Sequence, residues 1–356
     1  MMSEERRERI LREVSLRGRI NVAEFAERHG FSGMTIRRDL AVLADRGLLR
    51  RIHGGAIAAA EGAATGDRGL GTGAGPIATV GLIVPDATYY FPQVIRGVSV
   101  AARQSGLRLV LGVTNYEPRE EIRQLTKLSD SGVGAIMLVT ARPGIDEART
   151  WDCLARVRPP VVLVERSLEN APTSLRMDAV RSDHSYGAEL AVAHLVDAGH
   201  RRIGLICRES ATAPWIEQGY ERAVSRLGLP EDAPRMRAPS PRWGNESAAG
   251  SLRDFLDRCL ASDTRAAIVL PDELGINLLS LVEESGLRVP QDFSIVTYDD
   301  EVAGLASVPL TSVAPPKDAV GRRALTTCLM RIEERERSPA QRVELVPELR
   351  VRESTA

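Results

Sequence analysis

The 356-residue chain is short of several things, and each shortage removes a class of protein. It has only two lysines, Lys127 and Lys317, among 47 basic residues, so arginine stands wherever another protein would use lysine and its abundance alone says little about partners. The four cysteines, Cys153, Cys207, Cys259 and Cys328, lie far apart, with no Cys-x-x-Cys pair and no histidine cluster at metal-ligand spacing. That excludes a disulfide scaffold and a zinc ribbon, and leaves small buried side chains in a reducing compartment. No segment approaches the roughly 20 apolar residues of a membrane span, and the opening MMSEERRERILREV is too charged for a secretion signal. A soluble cytoplasmic protein with no metal, cofactor or membrane partner is expected. Ser-His-Asp and Cys-His arrangements are also missing, which argues against an enzyme. The adjacent Asp299 and Asp300 invite comparison with the two carboxylates of a glycosidase, but neighbours on a strand point to opposite faces.

What is present is enough chain for at least two domains, with 43% hydrophobic residues to fill their cores. Charge divides unevenly. Residues 1 to 53 hold twelve arginines against eight acids, an excess of four, while the whole chain carries −1, so the remainder carries −5. Three short helices can be read in the small basic head. The first runs from about Glu4 to Leu16, with Ile10, Leu11 and Val14 on one stripe. Asn21 opens a second that Gly30 closes, with Val22, Phe25 and Ala26 inward. Ser32 is placed to cap the third, whose inward positions are Ile36, Leu40 and Leu43.

Turned at 100° per residue, the third helix sets Met34, Arg37, Arg38 and Ala41 on the side away from Ile36, with Thr35 at the flank. Guanidinium groups beside small residues suit a helix entering a DNA major groove. Leu48 to Ile52, including Arg50 and Arg51, then reads as a short basic strand, and His53-Gly54-Gly55 as a turn that brings backbone close to a phosphate. This is the order of a winged helix-turn-helix. The run GRINVAEFAERHGFSGMTIRRDLAVLADRGLLRRIHGGA resembles the N-terminal DNA-binding domain of the DeoR family in its TIRRDL helix and closing HGGA, over about 50 residues. The resemblance implies DNA contacts for Ser32, Thr35, Arg37, Arg38, Arg51 and His53, whereas Asp39 fits a structural ion pair equally well.

Residues 57 to 76, IAAAEGAATGDRGLGTGAGP, read as a flexible linker between a head of residues 1 to 56 and a body of residues 77 to 356. Gly69-x-Gly71-x-x-Ala74 matches a dinucleotide-binding fingerprint in letters only, since no strand precedes it and Pro76 follows.

In the body, short apolar runs alternate with helical patterns: residues 78 to 84, 107 to 113, 135 to 139, 161 to 165, 202 to 207, 266 to 270 and 294 to 298. Such alternation means an α/β fold with parallel sheets covered on both faces, and ligands in such folds bind beyond the carboxyl ends of the strands. Those ends carry Asp86 with Tyr89-Tyr90-Phe91, Glu165-Arg166 and Asp272-Glu273. Rings beside charges suit a small polyhydroxylated ligand.

The stretches VGLIVPDATYYFPQVIRGV, GAELAVAHLVDAGHRRIGLI and GLRVPQDFSIVTYDDEVAGLASVPLTSV resemble the effector domain of the LacI family, which shares its fold with periplasmic sugar-binding proteins; the likeness spans about 270 residues. It implies two α/β lobes with a ligand between them. Tyr90, Phe91, Ser210, Thr212, Trp243 and Asp272 stand at matching ligand positions, and Arg166 follows a strand beside them. One departure is Ile216, flanked by Trp215 and Glu217, where many sugar-responsive members carry an arginine. The expectation is a repressor whose affinity for operator DNA is controlled by a small effector, a sugar or sugar derivative, working as a homodimer that doubles its base contacts on a palindrome. The rival reading is a solute-binding protein of the periplasmic type, which would have no use for the basic head.

Overall fold

The computed structural model describes residues 6–7, 9–11, 19–45, 48–52, 55–58, 79–141, 147–166, 171–240, 248–334 and 338–355. Contacts divide the chain into two compact units, Met1–Ala74 and Gly75–Ala356.

In the first unit, β1 (Arg19–Asn21) leads directly into α1 (Val22–His29), followed by α2 (Gly33–Asp45), β2 (Leu49–Ile52) and β3 (Gly55–Ala58). The strands form an antiparallel sheet in the order β1-β3-β2. Residues 6–7 and 9–11 are helical, and the rest of the expected first helix lies outside the described residues. Gly30 ends α1 at φ +70°, and Phe31 N–H returns to Ala26 O at 2.9 Å, a glycine-terminated helix end. Ile36, Leu40 and Leu43 face a core that also holds Ile10, Ile20, Val22, Phe25, Ala26, Leu49 and Ala56. Asn21 stands immediately before α1, where the sequence reading puts the helix start, and it also ends β1, a strand too short to show a pattern. The head does not stop at residue 56, because Ile57 and Ala58 pair with Arg50 and Leu49. Gly55 pairs with Asn21 at a crossing so close that a Cβ there would sit 1.8 Å from Ile20 O.

The second unit has two lobes, each a six-stranded sheet. The first sheet has the order β14-β8-β7-β6-β4-β5, using β4 (Thr79–Val84), β5 (Arg108–Val113), β6 (Ala135–Leu138), β7 (Val161–Val164), β8 (Asp178–Ser182) and β14 (Arg342–Leu345). All its pairings are parallel. The second has the order β10-β9-β11-β12-β13-β15, using β9 (Gly204–Arg208), β10 (Arg235–Ala238), β11 (Ala266–Leu270), β12 (Ser294–Tyr298), β13 (Thr311–Ala314) and β15 (Glu348–Arg350). Only β15 pairs antiparallel.

Helices α3 (Phe91–Gln104), α4 (Pro118–Asp130) and α5 (Glu147–Leu154) cover the first sheet, joined by α10 (Lys317–Glu334). Here α3 and α10 touch backbone to backbone: a Cβ on Gly97 would lie 2.1 Å from Asp318 O, and one on Gly321 2.3 Å from Val94 O. Helices α6 (His184–Asp197), α7 (Ala213–Arg226), α8 (Ala248–Ala261) and α9 (Asp272–Glu284) cover the second sheet. The chain passes between lobes three times, from β8 to α6, from β13 to α10 and from β14 to β15. Among the described residues, no helix is long and apolar enough to cross a membrane.

Candidate nucleic-acid interface and candidate ligand cleft

The outward side of α2 is built by its cap. Ser32 Oγ accepts from Thr35 N–H at 3.1 Å and lies 2.8 Å from Thr35 Oγ1, while Ser32 O takes Ile36 N–H at 3.2 Å. With Ile36 and Leu40 sealed inside, Arg37 and Arg38 are exposed and Met34 is 74% exposed. Asp39, one residue on, turns inward: 2% exposed, it accepts from Arg6 Nε at 2.6 Å and Arg7 Nε at 2.9 Å. Its place is therefore the structural ion pair, and Arg6 also lies 5.4 Å above the Phe31 ring. Arg51 sits in β2 opposite Ala56. His53 lies outside the described residues.

In the second unit, the carboxyl ends of strands from both sheets meet. After β4, Asp86 shapes a turn by accepting from Thr88 N–H at 2.8 Å and from the Tyr116 hydroxyl at 3.1 Å. Tyr90 donates its hydroxyl to Glu165 at 2.9 Å, its ring meets Phe91 edge-on at 5.2 Å, and Lys317 Nζ stands 5.0 Å above it. Arg166 lies 5.8 Å above the Phe91 ring and donates to the Glu165 carbonyl at 2.9 Å. Tyr90, Phe91 and Arg166 are thus brought together.

Several contacts cross between the lobes. Gln93 Nε2 donates to Glu301 at 3.0 Å, and Lys317 binds both Glu301 and the Asp299 carbonyl. Glu165 lies 3.5 Å from His184 Nε2 and accepts from Ser182 N–H at 2.9 Å and Ser182 Oγ at 2.8 Å. His184 Nδ1 in turn lies 3.2 Å from the Tyr298 hydroxyl. Burial alone would raise the Glu165 carboxyl, but His184 and the Ser182 donors hold it down at about 2. Asp299 behaves oppposite to it: burial, then the nearby Asp272, Glu301 and Glu165, push it well above the ordinary range despite Lys317.

Asp272 stands at the expected strand end but is 0% exposed. Its carboxylate accepts from Glu301 N–H at 2.6 Å, Val302 N–H at 3.1 Å and Ser312 Oγ at 3.0 Å, so it holds the loop after β12. Ser210 Oγ accepts from Ala213 N–H at 3.2 Å and Thr212 directly precedes α7; both are half-buried beside the end of β9. Trp243 lies outside the described residues. Ile216 is sealed in the core of the second lobe, while its neighbour Trp215 carries Arg181 of the other lobe 3.8 Å from its ring centre. Asp299 and Asp300 are past the end of β12, at φ +100° and +53°, so strand alternation does not govern them. Asp300 pairs with Arg350 and Arg352 instead. Among the described residues, no group of three or more His, Cys, Asp or Glu side chains could hold a metal ion.

Lys317, Glu301, Gln93 and His184 were not anticipated from sequence. Lys317 did carry a signal. One of two lysines in an arginine-saturated chain marks a place where a compact ammonium is needed, here 3% exposed between a ring, a carboxylate and a carbonyl.

Known proteins match both units. A model of the DeoR-like helix-turn-helix domain matches residues 6–61, and one of the periplasmic binding protein-like domain matches residues 192–355. The HTH-type transcriptional repressor PurR of Haemophilus influenzae strain PittEE is 28% identical over 287 residues, 78% of this chain and 81% of that one. The arabinose metabolism transcriptional repressor of Geobacillus stearothermophilus is 28% identical over 285 residues, 78% of this chain and 76% of that one. The chain is a DNA-binding transcriptional regulator. It joins a DeoR-like helix-turn-helix head to a periplasmic binding protein-like body. Among solved structures, the complex of transcriptional regulator CelR with cellobiose superposes on this regulator with a TM-score of 0.67 at 25% identity, covering 92% of each chain.

Proposed function

We propose that this regulator is a repressor whose head binds operator DNA and whose body releases it when a small carbohydrate enters between the lobes. The observation that carries this reading is the meeting of strand ends from both sheets around Tyr90, Phe91, Glu165 and Asp272, in a chain whose head turns Arg37 and Arg38 outward. Arg37, Arg38, Thr35 and Ser32 are the proposed DNA contacts on α2, with Arg51 and His53 on the wing. Tyr90, Phe91 and Arg166 from one lobe, with Ser210, Thr212 and Trp243 from the other, are the proposed effector contacts, and Asp272 fixes the floor between them. A second copy of the chain would double the base contacts on a palindromic site. A ligand that prefers one arrangement of the lobes shifts the regulator toward it, and a coupling of about 1 to 3 kcal/mol suffices for control.

The test is a selection of operator sequences from fragmented genomic DNA by the full-length protein. Titration of the selected duplex at fixed salt, with and without neutral sugars, then measures the coupling. Weaker binding in the presence of one sugar is expected; sequence-independent binding that no small molecule alters would overturn the reading.

A further inference from the structure

Three side chains at the ends of β4, β9 and β11 are left incompletely used by the packing of the cleft. Arg208 closes β9 and donates from Nη1 to Glu273 Oε2 at 2.8 Å. Its side chain is 18% exposed against 52% for that of Glu273. Arg208 Nε and the Tyr89 hydroxyl are both enclosed, and among the described residues neither has a hydrogen-bond partner. Tyr89 belongs to the first lobe, yet the carboxyl groups that act on its phenol, Asp299, Asp272, Glu273 and Glu301, all belong to the second. Burial, then these carboxyl groups, keep the phenol protonated and therefore a donor. Two donor atoms, one from each lobe, the Tyr89 hydroxyl and Arg208 Nε, are thus left without an acceptor near the strand ends that carry Glu273.

A hydroxyl group answers such a set, because it accepts from a phenol or guanidinium and donates to a carboxylate at once. Two neighbouring hydroxyls can engage Arg208 and Glu273 together while the ion pair keeps the site neutral. A phosphate or carboxylate fits worse. Arg208 and Lys317 are already paired, with Glu273 and Glu301, and an added anion would meet like charge from the carboxyl groups facing Tyr89. Arg166 stands over Phe91 rather than Tyr89 and does not relieve this.

We propose that Tyr89, Arg208 and Glu273 form a subsite for a pair of adjacent hydroxyls on an uncharged sugar, and that the cleft rejects phosphorylated and carboxylated forms of that sugar. The proposal rests on the reading of the cleft as the effector site.

The experiment uses the full-length protein in thermal-shift and calorimetric titrations with ribose, glucose and cellobiose, alongside ribose 5-phosphate, glucose 6-phosphate and glucuronate. At least one neutral sugar should raise the melting temperature while its charged counterpart does not. Arg208→Met and Glu273→Gln should each weaken that sugar about tenfold or more. Urea midpoints of both variants, expected to match the parent because Glu273 is half in solvent, separate lost contact from lost fold. Tighter binding of a charged form than of its neutral parent would overturn the subsite while leaving the sensor reading intact. So would unchanged sugar affinity in both variants. If none of these carbohydrates binds a protein that still binds its operator, the carbohydrate reading itself fails and the subsite fails with it.

Discussion

Asp39 in the head and Asp272 in the sensor are both nearly sealed from solvent, at 2% and 0% exposure, and the chain satisfies them by different means. Asp39 is met by two long side chains, Arg6 and Arg7, reaching from another helical segment. Asp272 is met chiefly by main chain, the N–H groups of Glu301 and Val302, with the Ser312 hydroxyl as third donor. In the head, the orientation of α2 is therefore set by a charge pair between helices. In the sensor, a carboxylate ties the start of α9 to the loop after β12, so the two move as one piece. Side-chain clamps can adjust; a loop held by its amides cannot shift without losing several bonds together.

The largest effect should come from removing the amide-held carboxylate. Asp272→Ala leaves the N–H groups of Glu301 and Val302 without an acceptor and takes the nearer of two acceptors from the Ser312 hydroxyl, and we expect the sensor to lose about 3 kcal/mol in urea unfolding while the head is unaffected. An unchanged midpoint would mean that other bonds hold the 299–302 loop.

Glu165 offers a carboxylate of mixed kind, held by a main-chain amide, hydroxyls and an imidazole. Its folded value near 2 lies below the ordinary 4.5, so its stabilisation is complete above 4.5 and is lost as pH falls toward 2. The loss amounts to about 3 kcal/mol. Asp299 has the opposite sign: its raised value favours the folded state at low pH and disfavours it as pH rises past the ordinary range. Glu165→Gln should therefore remove the acid-side loss and expose the Asp299 dependence, making the variant relatively more stable on acidification. Chemical denaturation between pH 2 and 6 reads both.

For the clamped acid, Asp39→Ala strands two partly buried guanidiniums and should cost the head about 2 kcal/mol, with operator affinity falling in parallel. The contrast is its neighbour. Arg38→Ala should leave the head's unfolding midpoint in place and cost about 1 to 3 kcal/mol of operator binding, read in titrations at fixed salt. If Asp39→Ala lost DNA affinity with no loss of stability, Asp39 would belong to the interface rather than to the clamp.

How much of this was legible depends on where each residue sits. Seven sensor strands stand out as continuous apolar runs, six of them because they lie inside the sheets with both faces covered, while β5 keeps its apolar run at a sheet edge with Leu111 exposed. The runs DAVRS, RMRA, TSVA, RVEL and ELR do not. Of these, β10, β14 and β15 are edge strands with one side open. Among the interior pair, β8 buries Asp178 against Arg331, and β13 uses Thr311 and Ser312 in hydrogen bonds rather than apolar contact. In the head, Ser32 and the inward series Ile36, Leu40 and Leu43 were readable because a cap and a helical period are local signals. The partners of Asp39 were not, since Arg6 lies 33 residues away in sequence. At the cleft, strand ends could be named in advance, but not whether an acid there meets a ligand or a loop. That depends on the left-handed turn at Asp299 and Asp300, which nothing in the letters announces.

The three passages between the lobes are very short: Asp183 alone, then Pro315–Pro316, then Val346–Pro347. A body joined at one point can twist and swing in any direction, whereas one joined at three has little left but rotation about a shared line, like a door on three hinges. Proline at two of the three fixes φ there and narrows the freedom further. Whatever occupies the space between the lobes, this regulator can report it only as a single angle.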